Sequence, residues 1–168
     1  QEIIEAAAES NDELLEKYFA EEKLSDEEVK AGLRAATLEG TVVPVFCGSA
    51  TGNIGSEILL DGMIDYLPSP LDRGEVKGID PKSDSEVVRK PSVDEPLSAL
   101  VFKTMADPYA GKLNFFRVYS GVFSADSQTF NANEDNKERV GHVLAMKGKD
   151  HEDVEGVSTG DIGVAVKL

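Results

Sequence analysis

The sequence predicts an α+β chain built in several parts, with a helical and α/β front portion followed by an antiparallel β-barrel. Three observations carry this. An apolar run, Val42-Val-Pro-Val-Phe-Cys47, leads into a loop of small residues and then into a helix-periodic stretch that ends at Leu67-Pro-Ser-Pro70. From Glu95 onward the apolar period changes to two, in short segments separated by Gly, Asn and Asp turns. Between them, residues 72–93 are polar and rich in Pro, Gly, Asp and Ser, which is linker composition. The chain therefore divides into residues 1–71, a linker over 72–93, and a barrel over 94–168.

Residues 2–19 place Ile4, Ala8, Leu15 and Phe19 on one helical face, with Glu2, Glu5, Glu9, Asp12, Glu13 and Glu16 on the other. Ser25-Asp-Glu-Glu28 has the spacing of a capping box, so a second helix starts there, turns Val29, Leu33 and Ala36 inward, and ends near Gly40. Val42, Val43, Val45 and Phe46 suit a buried strand, and the lone Cys47 within it reads as a small buried hydrophobe. Gly48, Ser49 and Ala50 carry almost no side chain, so a flat ligand can approach their backbone N–H groups. Ile58, Leu59, Met63, Ile64 and Leu67 then form a helical stripe that packs back on the strand, stopped by Pro68 and Pro70.

In the linker, one short strand is expected at Glu75–Ile79. The barrel strands are expected around Leu97–Phe102, Leu113–Tyr119, Val122–Phe123, Ser127–Ala132, Glu138–Leu144 and Asp161–Lys167. Tyr109-Ala-Gly111 and Asn133–Asn136 read as turns.

Lys and Arg total 17 against 32 Asp and Glu, a formal charge of −15, which disfavours gripping nucleic acid by bulk charge. The acidity is concentrated in residues 1–93, with 9 basic and 20 acidic groups, whereas 94–168 carry 8 and 12. A local basic patch on the barrel thus remains compatible with the composition. One cysteine excludes a disulfide framework and fits a reducing cytoplasm; no apolar run approaches membrane-spanning length. His142 and His151 have no partner at metal-ligand spacing and read as a strand and a loop residue. Asp150, Glu152 and Asp153 read as a solvated loop rather than an acid–base pair.

Cys47-Gly-Ser-Ala50 after an apolar segment resembles the last guanine-nucleotide motif of translational GTPases, and Leu60-Asp-Gly-Met-Ile-Asp-Tyr-Leu-Pro-Ser-Pro70 resembles the helix that closes the GTPase domain of bacterial elongation factor G. Ala6–Leu15 and Leu24–Lys30 are similar to the exit helices of that family's inserted subdomain. Phe102-Lys-Thr104, Asp107-Pro-Tyr-Ala-Gly-Lys-Leu113, Phe116-Arg-Val-Tyr-Ser-Gly121 and Gly160-Asp-Ile162 resemble its second, barrel domain, whose final hairpin is not found in this sequence.

The resemblance implies a fragment of a ribosomal translocase that uses GTP hydrolysis to move tRNA and mRNA, acting in the cytoplasm. It implies that Gly48, Ser49 and Ala50 face the guanine base. It implies GTP or GDP with Mg2+ as cofactors of the intact parent. Its partners would be small-subunit ribosomal RNA through the barrel and the large-subunit stalk protein near the N-terminal helices. The basic residues Lys112, Arg139, Lys147 and Lys149 are then the RNA-contact candidates, with Lys137, Arg117, Tyr109 and Tyr119 beside them. The acidic Asn133-Glu-Asp-Asn136 departs from the basic loop more usual there.

No Gly-x4-Gly-Lys-Ser/Thr cradle for phosphates and no Asn-Lys-x-Asp base motif occurs; after Asn136-Lys137, Arg139 stands where the Asp belongs. The one Asp-x-x-Gly match, Asp153-Val-Glu-Gly156, lies in the barrel region with no phosphate loop before it, so it does not read as the magnesium switch. This chain alone is not expected to hydrolyse GTP. Two other readings compete. One is a related ribosome-binding GTPase, a release factor or a tetracycline ribosomal protection protein. The other is a free-standing, non-enzymatic interaction module. If the strand over 42–47 lacks its parallel neighbours, its bare edges should promote self-association.

Overall fold

A computed structural model describes residues 1–20, 23–108 and 111–166. The chain forms two compact units, Gln1–Pro68 and Ser69–Leu168.

The first unit is helical. Its elements are α1 (Glu2–Ala8), α2 (Asp12–Phe19), α3 (Asp26–Glu39) and α4 (Ser56–Tyr66). The single helix expected over 2–19 is broken in two. Asn11 takes an extended conformation and its side chain accepts from Leu14 N–H, so it caps a new helix there. The capping box at Ser25 and Glu28 forms, and Gly40 closes α3 in the left-handed conformation at φ 80°. Gly32 of α3 meets α1 at a distance no side chain would allow, since a Cβ there would lie 2.5 Å from the Ala7 carbonyl oxygen. Ala7, Ala8 and Ala36 are buried, whereas Val29 and Leu33 are half-buried and Phe19 is exposed. Polar contacts tie the helices: Tyr18 Oη donates to Glu5 at 2.9 Å and Lys17 Nζ to Glu28 at 2.6 Å.

The apolar run at 42–47 forms no ladder, contrary to the sequence expectation of a buried strand. Val43 and Val45 are 79% and 84% exposed, and Cys47 is exposed as well. A strand lowers its free energy only by pairing its N–H and C=O groups, and no neighbour for these residues exists among those described.

The second unit opens with α5 (Pro70–Arg73), followed by β1 (Val76–Ile79) and β2 (Glu86–Arg89). These two strands pair antiparallel, so the polar stretch holds a hairpin where one strand was expected. The barrel-like part contains β3 (Ser98–Asp107), β4 (Gly111–Ser120), β5 (Val122–Ser124), β6 (Gln128–Asn131), β7 (Asn136–Arg139), β8 (Val143–Lys147), β9 (Asp150–Val154), β10 (Gly156–Ser158) and β11 (Ile162–Val166). A five-stranded sheet in the order β3-β4-β11-β8-β9 is joined by the pairs β5–β10 and β6–β7. Every pairing is antiparallel.

Strand alternation explains the core. Phe116 and Val118 of β4, Val143 of β8 and Ala165 of β11 point to one side, where Phe123, Val140 and Val157 complete a buried cluster. Phe116 and Phe123 stack with ring centroids 4.1 Å apart. Leu113, Leu144 and Val164 form a second cluster on the other face, flanked by Phe115, Met146 and Val166. Glycine is required at Gly163, where a Cβ would lie 2.6 Å from Val157 and 2.8 Å from the Phe116 ring.

Replacing Phe116 by Ala removes the ring on which this core closes, and should destabilise the second unit by about 3–5 kcal/mol, read from denaturant unfolding followed by tyrosine fluorescence. In the first unit, the Lys17 ammonium and then the Ser25 backbone N–H hold the Glu28 carboxyl below its usual range. A depressed folded-state pKa contributes stability that is complete above the unfolded carboxylate pKa and is lost as pH falls through the folded value. Glu28→Gln should therefore reduce the acid-side loss of helicity, measured by far-UV circular dichroism below about pH 4.

Candidate nucleotide-base site

The candidate base loop sits between the extended run and α4. Ser49 and Ile54 form a reciprocal backbone pair, Ser49 N–H to Ile54 O at 2.9 Å and Ile54 N–H to Ser49 O at 3.0 Å. The four residues between them turn tightly: Asn53 N–H donates to Ala50 O at 3.3 Å, and Gly52 N–H to Ser49 Oγ at 3.2 Å. Asn53 has φ 50°, a conformation Asn adopts more readily than most residues. Its Oδ1 accepts from Ser56 Oγ at 2.9 Å, which joins the loop to the first turn of α4. Gly48 and Gly55 are needed for close approach. A Cβ on Gly48 would lie 2.7 Å from Ile54 O, and Gly55 sits at φ 78°.

These constraints leave a defined set of donors. Among the backbone donors, Ser49 N–H is committed to Ile54 O, while the Ser49 hydroxyl oxygen accepts from Gly52 N–H. The N–H groups of Gly48 and Ala50 have no protein acceptor among the described residues. An open cleft of about 390 Å³ lies against the loop, lined by Phe46, Ile54, Leu59 and Leu60 with Gly48, Ser49 and Ala50. That volume is within the usual range for small-molecule sites. α4 starts without a side-chain cap, so its first N–H groups add a positive field.

Packing and ion pairing hold α4 in place. The Phe46 ring lies on Gly62, where a Cβ would come within 2.4 Å of it. The same ring lies 6.3 Å centroid to centroid from Tyr66 at the end of α4, so the apolar run packs back on the helix through Phe46. Lys30 pairs with Asp65 at 2.7 Å, and that hydrogen bond raises the lysine's pKa. Arg34 donates to the Asp65 carbonyl. The rest of the expected stripe is bare: Ile58, Leu59, Met63 and Ile64 are 47–77% exposed.

On the barrel, the RNA-contact candidates are dispersed. Lys147 and Lys149 belong to the β8–β9 hairpin, whereas Lys112 lies at the start of β4. The registers Leu113↔Val166 and Leu144↔Val164 place those positions at opposite ends of the sheet, about 20 Å apart along the strands. Arg139 ends β7 in a separate pair. Acidic neighbours offset two of them: Lys147 faces Glu152 at 3.5 Å and Arg139 faces Asp126 at 4.0 Å. Lys137 is exposed in β7, and Tyr109 lies outside the described residues.

Tyr119 is half-buried, with the Arg117 guanidinium 5.9 Å from its ring. That contact between positions two apart on one strand face was within reach of the alternation. His151 and the carboxylates Asp150, Glu152 and Asp153 lie in strand β9, not in a loop. His142 immediately precedes β8 rather than lying within a strand, and its Nδ1 is 3.0 Å from Asp153. The sequence offered no signal for that cross-strand pair. No group of three or more metal-ligating side chains occurs among the described residues.

The second unit is thus an antiparallel, barrel-like fold that follows a small helical unit in the chain. Residues 96–168 match the family model described as elongation factor G domain 2. A crystal structure of a protein from Thermus thermophilus superposes with a TM-score of 0.74 at 28% identity, covering 100% of this chain. The chain spans 22% of the length of that relative. Over residues 96–168 the barrel belongs to the elongation factor G domain 2 family, and the two matches together support a fragment of an elongation factor of that type.

Proposed function

We propose that this chain supplies the guanine-base loop and the ribosome-docking barrel of a translocating GTPase. The observation that carries this reading is the coexistence, in one chain, of a domain 2 barrel with a clipped loop that offers backbone donors to a cleft. Guanine has a carbonyl oxygen at the position where adenine has an amino group, so a fixed N–H donor favours guanine and rejects adenine.

The base half of a GTP site fits the residues present. The phosphate half and its Mg2+ do not, because the chain has no lysine-bearing phosphate loop and no magnesium-switch aspartate. Those groups would have to come from elsewhere in a longer protein. Hydrolysis would drive tRNA–mRNA movement, with the barrel docked on small-subunit ribosomal RNA through Lys147, Lys149, Arg139 and Lys112. The acidic α1–α3 surface would face the large-subunit stalk. Because those cations are few and partly paired with acids, the docking contact would be positional rather than sequence-reading.

The full-length gene product should hydrolyse GTP, faster with ribosomes than without, while residues 1–168 alone should show no turnover. GTP turnover by the isolated chain, or none by the full-length product with ribosomes, would contradict the proposal. In the full-length protein, Lys149→Ala should reduce the slope of log affinity for ribosomes against log salt by about one unit. Adding Lys112→Ala should lower it again, since the two lie at opposite ends of the sheet.

A further inference from the structure

We infer that Asn53 is the positioning residue of the base loop: it fixes the Ala50 N–H without touching the nucleotide itself. The inference rests on the base-loop reading above and goes beyond it, to what sets the donor's direction. Three observations converge on Asn53. Its backbone closes the turn by donating to the Ala50 carbonyl, and the peptide it forms with Ile54 carries the N–H that bonds the Ser49 carbonyl, the far end of the same peptide unit as the Ala50 N–H. It occupies the left-handed region at φ 50°, which a β-branched residue adopts only under strain. Its side chain accepts from Ser56, the first residue of α4, and so sets the loop's orientation against the helix that walls the cleft.

Ser49 plays a supporting part. With its N–H donated to Ile54 O and its hydroxyl oxygen accepting from Gly52 N–H, it clips the loop and has no backbone donor left for a base. This narrows the sequence-level set of Gly48, Ser49 and Ala50 to the two N–H groups that remain, of which Ala50 belongs to the turn that Asn53 closes.

A ligand pair that differs at one atom tests this. The full-length gene product is titrated with GDP and with 2-aminopurine ribonucleoside diphosphate, which keeps the 2-amino group and lacks the 6-oxygen. The wild-type protein should prefer GDP. Asn53→Val, which strains the turn and removes the acceptor, should weaken GDP about tenfold, equivalent to about 1.4 kcal/mol, and change the analogue less than twofold. Asn53→Asp keeps both the acceptor and the tolerance for the left-handed region, and should restore GDP binding. Ser56→Ala removes only the side-chain bond, leaves the fold undisturbed, and should shift the same preference in the same direction by a smaller factor.

Equal weakening of both nucleotides in Asn53→Val, with Ser56→Ala unchanged, would show a merely structural role and overturn the inference. Unaltered GDP preference in both variants would overturn it too. A wild-type protein that binds the two nucleotides equally would refute the base-loop reading itself, an outcome distinct from either.

Discussion

The second unit depends on β4 being apolar on both faces. Phe116 and Val118 supply one buried cluster and Leu113 with Phe115 the other, so a single strand anchors both sides of the sheet. Its neighbours follow from that requirement. β11 offers Val164 to one face and Ala165 to the other, and β8 does the same with Leu144 and Val143. Gly163 is where the Phe116 ring and Val157 converge on the backbone. β3 departs from the pattern as the edge strand of the five-stranded sheet, with Leu100, Val101, Phe102 and Met105 all 44–55% exposed.

The first unit shows the opposite condition. Its apolar run and the stripe on α4 were recognisable as a strand and a helix built to pack together, yet the recorded contacts run through Phe46, on Gly62 and Tyr66, and most of the stripe stays bare. The whole chain exposes 12250 Å². Two compact globules the size of these units would together expose about 10,000 Å². Bare apolar residues in both units contribute to that difference of about 2,000 Å², the α4 stripe and the run at 42–47 in the first and β3 in the second. In the proposed account, the rest of a GTP-binding domain covers the first unit's part of that surface, and the isolated chain is prone to self-association.

Local signals made much of the fold legible. Ser25 and Glu28 announced α3, Gly40 its end, and period-two runs with Gly121 and Asn133–Asn136 the strands of the barrel. What failed did so for physical reasons. The face pattern over 2–19 was continuous, but the capping chemistry of Asn11 outweighed it. β9 was hidden because Asp150–Val154 is an exposed outer strand and carries almost no apolar alternation. Buried placement of 42–47 was read from composition, which reports what a segment can pack against, not whether the partner is there. At the base loop, residue size pointed to Gly48, Ser49 and Ala50. Only the hydrogen bonds showed that the Ser49 N–H is already used by Ile54 and that Asn53 closes the turn.

Amide hydrogen exchange over residues 42–47, measured side by side in this 168-residue chain and in the full-length gene product, tests the central claim most directly. The account predicts fast exchange in the chain, where these N–H groups have no ladder, and strong protection in the full-length protein, where a parallel sheet would pair them. Equally fast exchange in both would contradict it. So would protection already complete in the 168-residue chain, because the segment would then have found its partners without a GTP-binding domain around it.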